Sequence, residues 1–159
     1  MQTMDRVVIP LRVALVLVFA GSVVGQLFSF PGQFAYLAEQ EPDLAYLRWP
    51  LTAFAALELL CLQVVVVSTW QLLSLVRADR IFRDEAFVWV DAILGAMVTG
   101  WLLLAGLSAY FVLRADDPGT PMALFAVVLT AGAVVLLMVV LRALLRQATT
   151  LRTDMEAVI

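Results

Sequence analysis

One carboxylate stands inside a run that otherwise reads as hydrocarbon: Glu58, between Leu57 and Leu59 in LTAFAALELLCLQVVVVSTW, residues 51–70. An acid there has two chemical uses. Ionised, it would pass a proton or serve as a polar transport site. Protonated, it would donate to a carbonyl or an amide, the form that burial favours because no charge is stripped of water. An ionisable group within a membrane span is by default a functional candidate, and a single one also serves simply to join helices. Ala55, Glu58 and Cys61 recur at i, i+3 and i+6, a small-residue face that turns Glu58 toward neighbouring helices. Gln26 is the expected partner, a backbone carbonyl the other, and Gln63 and Thr99 are further polar bridges at mid-membrane depth. Arg12 and Asp91 fall at matching depths near one boundary, where they either pair between helices one and three or each reach separately to headgroups.

Most other chemistry is excluded by residue type. The chain has no histidine, which removes the usual haem ligand, a common zinc ligand and the commonest proton-transfer base. Its single cysteine, Cys61, admits neither an internal disulfide nor a dithiol redox pair. Asp116-Asp117 beside a Pro-Gly turn reads as a solvated loop rather than a cation site. No phosphate-binding glycine loop or nucleophile elbow is present. The expectation is a protein that is not an enzyme and carries neither cofactor nor metal.

The elements that must position these groups are set by composition. Of 159 residues, 64% are hydrophobic and 14% charged, with mean hydropathy +0.99; soluble domains run near 45–50% apolar and about 25% charged. Four apolar runs, about 7–30, 51–76, 87–113 and 122–145, approach the roughly 20 residues that cross a hydrocarbon core. Lipid requires each segment to satisfy its own backbone, so the spans are helical. The expected fold is all-α: one integral membrane domain over 1–159, an antiparallel four-helix bundle with a tail at 146–159. The first run exceeds a signal-peptide core and lacks a small-residue cleavage site, so it reads as a retained span. Pro31-Gly32, Pro50 and Pro118-Gly119 with Pro121 punctuate the spans.

Small residues should mark the contact faces, because close backbone approach drives association in lipid. Gly21 and Gly25 form a G-x-x-x-G pair beside Ser22 and Gln26; Asp91, Gly95 and Thr99 line the third helix; Ala123, Ala126, Thr130 and Ala133 line the fourth. The Gly21/Gly25 face also suits a homo-oligomer.

Orientation follows from arginine. Arg6, Arg12, Arg77, Arg80, Arg83, Arg142, Arg146 and Arg152 lie on one side, and only Arg48 and Arg114 on the other, with Glu39, Glu41, Asp43, Asp116 and Asp117. This bias places both termini in the cytoplasm. With a net charge of −3 and no concentrated basic patch, no direct nucleic-acid binding is expected; membrane lipid is the one certain neighbour. The first outer connection, PGQFAYLAEQEPDLAYLRWP, should lie on the membrane surface or cap the bundle, or cover an outward-facing ligand site. The tail LRALLRQATTLRTDMEAVI repeats apolar residues every three or four positions and should extend the fourth helix as an amphipathic rod.

Four spans, a middle loop with Ile81-Phe82 before Arg83-Asp84-Glu85, and an ending that places Leu151, Asp154, Glu156 and Ile159 in order together resemble domain-of-unknown-function family 2975 (DUF2975), small four-span bacterial membrane proteins. The chain departs from that pattern in having Ile81 where proline is common, Asp154 where glutamate is common, and Ala157-Val158 in the tail. The resemblance implies no activity. It implies a cytoplasmic partner, since family members are often encoded beside small helix-turn-helix regulators. Phe82, Arg83, Leu151, Asp154, Glu156 and Ile159 are then the docking candidates of a sensor or regulatory module. The alternative is a small oligomeric transporter or channel that uses Glu58.

Overall fold

The computed structural model describes residues 2–158, with side chains from Arg6 onward, so Ile159 lies outside the described residues. They form helices and turns, with no strand among them. Four helical stretches are long and apolar enough to cross a membrane: 6–40, 42–77, 84–112 and 119–158. The chain divides into two compact units, at Trp70 and Gln71.

In the first unit α1 (Gln2–Val24) runs through a π turn (Gly25–Ser29) directly into α2 (Phe30–Gln40). The sequence reading ended this helix at Phe30, taking Pro31-Gly32 as a break. The wide turn explains why it continues. A proline ring meets the carbonyl four residues earlier and offers no amide to it. Widening the turn ahead of Pro31, with the Phe30 amide donating to Gly25, relaxes that conflict without stopping the helix. After a 3₁₀ segment (Pro42–Leu47), α3 (Arg48–Arg77) returns, with Pro50 in its first turn, where an amide is dispensable. The outer connection is therefore mostly helical. Tyr36, Tyr46 and Trp49 stay largely exposed on it, where an aromatic belt meets headgroups.

In the second unit α3 ends in a tight reversal. The Arg80 amide donates to Leu75 at 2.9 Å and the Asp79 amide to Val76 at 3.1 Å, the six-to-one and five-to-two bonds of a Schellman motif. Its left-handed position is held by Asp79, φ 54°. Then α4 (Asp84–Val112) and α5 (Gly119–Val158) run antiparallel. Asp84 and Glu85 open α4, acids placed favourably at the positive end of the helix dipole. At the start of α5, Asp117 Oδ2 accepts the Thr120 amide at 2.7 Å. That bond holds the Asp117 carboxyl below the usual carboxylate range. At 40 residues, α5 is about 60 Å long, twice the roughly 30 Å of hydrocarbon.

Few apolar side chains are withdrawn from the surface: Val8, Ala55 and Val66 in the first unit, Ala86, Val90 and Ile93 in the second. Leu17, Leu129 and Leu136 are each more than 60% exposed. In lipid such exposure carries no penalty, and specificity passes to the few polar contacts.

Candidate functional site

The first unit builds a chain of amides within its span. Gln63 Nε2 donates to Gln26 Oε1 at 3.0 Å and approaches Ser22 Oγ at 3.3 Å. Gln26 Nε2 donates to the Ala56 carbonyl at 3.1 Å, and Ser22 Oγ donates to Phe19 O at 2.7 Å. Gln26 lies in the π turn; a Cβ on Gly25 beside it would stand 3.7 Å from Leu59 Cδ1, an ordinary van der Waals contact. The expected Gln26–Glu58 bond is replaced by Gln26–Gln63. With the helix uninterrupted, Gln26 sits 14 residues before its end at Gln40, about 21 Å inward, where its amide brackets Glu58, donating to Ala56 and accepting from Gln63. Glu58 itself is half-buried, and its Oε1 is enclosed without a hydrogen-bond partner.

The other expected bridges resolve differently. Thr99 donates to Gly95 O in its own helix at 2.8 Å and is exposed. A Cβ on Gly21 or Gly95 would meet nothing within 4 Å, so within the units neither is a contact glycine. That role belongs to Gly132, which the sequence reading passed over. Its absent side chain lets the Trp101 indole N–H reach the Val128 carbonyl at 3.0 Å, and a Cβ there would stand 3.0 Å from Trp101 Nε1. The carboxylate of Asp91, for which the sequence suggested Arg12, takes both Arg142 Nε and Nη2, the latter at 3.0 Å. Arg12 lies over the Trp70 ring, 4.9 Å from its centroid.

At the arginine-rich end of the second unit, loop and tail are brought together. Arg80 makes a two-pronged ion pair with Glu85 at 2.6 and 2.7 Å. Arg152 lies over the Phe82 ring at 4.9 Å and reaches Glu156 at 3.3 Å. Phe82 and Glu156 of the docking candidates thus share one cation, which the sequence reading had counted only for topology. Arg83 and Leu151 are exposed nearby in sequence, and Asp154 instead lines a cleft with Asp84 and Arg146. Among the described residues no group of three acidic or cysteine side chains is placed to hold a metal.

A family model described as a protein of unknown function (DUF2975) matches residues 32–159. The chain belongs to that family. The match takes in the three later spans, the middle loop and the whole tail of this DUF2975 protein, and so covers the surface joined by Arg152. No curated protein matches this DUF2975 chain. No solved structure matches it either.

Proposed function

We propose that this DUF2975 member is a non-enzymatic bacterial inner-membrane protein, both ends cytoplasmic, that docks a cytoplasmic partner on its middle loop and tail. The observation that carries this reading is the ordering of that surface: Arg152 ties Phe82 of the loop to Glu156 of the tail. Beside it, Leu151 and Met155 are 64% and 69% exposed on a stretch of α5 that continues past the roughly 20 residues needed to span. Exposed apolar residues one turn apart, framed by charge, suit a partner helix. A small helix-turn-helix regulator is the partner class the family context favours, and release of such a regulator would couple a membrane event to transcription.

The test is photocrosslinking in cells from a benzophenone side chain at Leu151, with one at Leu136 as the lipid-facing control. The expected result is a discrete protein adduct at residue 151 that Arg152→Ala weakens. Lipid adducts alone at both positions would overturn the reading.

The enclosed, unpartnered Glu58 Oε1 supports a second reading, a small oligomeric transporter or channel. Glu58→Gln, folded and inserted, then abolishes flux; unchanged flux eliminates it.

A further inference from the structure

The α4/α5 pair holds a cleft of about 450 Å³ beside the docking surface. Asp84 and Phe87 contribute from the start of α4, and Arg146, Thr150, Thr153 and Asp154 from α5, with Thr149 and the Asp91-bound Arg142 also in the lining. Two counts fix its depth. About 20 residues of helix cross the hydrocarbon; counted inward from Val112 they end near residue 93, and from Pro121 near residue 141. Both end at the Asp91–Arg142 ion pair. The cleft begins where the hydrocarbon stops, and Asp84 lies seven residues beyond Asp91, about 10 Å. The cleft therefore starts in the headgroup layer, roughly 5–8 Å deep on each face, and opens past it toward water.

The lining specifies what fits. Thr149, Thr150 and Thr153 each donate their hydroxyl to a carbonyl of α5, at 2.9, 3.1 and 3.0 Å, so toward the cleft they offer lone pairs and no proton. Asp84 and Asp154 also only accept when ionised. Of the two arginines, Arg142 is committed to Asp91, and Arg146, which makes no side-chain hydrogen bond among the described residues, is the cation left for a ligand. One guanidinium among many acceptors calls for a ligand with a single anionic group and several N–H donors. A simple anionic headgroup would satisfy Arg146 and then face two carboxylates; a trimethylammonium headgroup has no N–H to give.

We propose that this cleft binds a phospholipid with a primary-amine, ethanolamine-type headgroup, its phosphate on Arg146 and its ammonium between Asp84, Asp154 and the threonine oxygens. Phe87 then meets the glycerol end. This inference does not rest on the docking reading: it uses the lining of the cleft, to which Leu151 does not belong.

The experiment is native mass spectrometry of the delipidated full chain in detergent, titrated with ethanolamine, choline and glycerol phospholipids of identical acyl chains. One ethanolamine lipid should be retained about tenfold over the others, the worth of one charge-assisted bond. Arg146→Gln should lower retention of all three. Asp84→Asn with Asp154→Asn should erase only the preference for ethanolamine over choline. Circular dichroism confirms that each variant keeps its helices, and the residue-151 crosslink should survive in all of them. Equal retention of the three lipids, or a preference that persists in both variants, overturns the proposal. Displacement of the lipid by soluble phosphoethanolamine at equal concentration would also overturn it, assigning the site to a water-soluble ligand.

Discussion

Asp79 does what glycine ordinarily does. A left-handed residue with a Cβ costs roughly 1 kcal/mol relative to glycine in the same turn, and the Schellman bonds around it are complete. Asp79→Gly should therefore raise thermal stability in detergent by about 0.5–1 kcal/mol, allowing for glycine's greater unfolded-state freedom; a fall would mean that the Asp79 side chain makes a bond worth more than the strain. Gln63→Leu should cost about 1 kcal/mol, within the range of interhelical hydrogen bonds in membranes, because it leaves Gln26 Oε1 without its donor. The same measurement on Glu58→Leu should show no loss, since Glu58 Oε1 has no bond to give up. At this scale the sequence was half informative. It singled out every polar residue of the amide chain, because a polar side chain in an apolar run is conspicuous. It mispaired them, because register depends on where a helix ends, and Pro31 did not end this one.

The helices themselves were legible wherever hydropathy ran unbroken, since lipid admits few alternatives to a helix in such a run. What composition conceals is which small residue faces a neighbour. Gly21, Gly25, Gly95 and Gly132 look alike in sequence; only Gly132 lies opposite an indole that needs an acceptor. Gly132→Val should displace Trp101 from the Val128 carbonyl and destabilise the α4/α5 pair. Trp101→Phe should cost less, and the two losses should not add, as expected for residues in contact. Additive losses in a double-mutant cycle would separate them. The first turn of α5 depends instead on Asp117. Its folded-state pKa is depressed, so its support is present above the unfolded value near 3.9 and fades as pH falls through the lower folded value. Asp117→Ala should lower the melting temperature at neutral pH, and the gap from the unaltered chain should close in acid; a gap independent of pH would remove the charged cap from the account.

For the molecule as a whole, the arginine bias makes a prediction about sidedness that packing within either unit does not touch. In a Cys61→Ala background, a cysteine at Glu41 should react with an impermeant maleimide in intact cells, and one at Ala157 only after the membrane is opened. The reverse pattern would invert the chain and place the loop and tail outside. Composition was enough to identify the solvent as lipid. It was silent on the meeting of Phe82, Arg152 and Glu156, because a cation shared between a loop and a tail about 70 residues apart leaves no periodic trace.

The unbroken length of α5 makes it a lever. Beyond residue 141 some 17 residues project about 25 Å without a break, so a change of about 10° in its inclination swings the far tip by roughly 4 Å. Inclination is what a bilayer alters when it thins or thickens. If α5 tilts as a rigid body about the Asp91–Arg142 clasp, a change of membrane thickness is expected as a displacement at Met155, with no rearrangement of the helix itself.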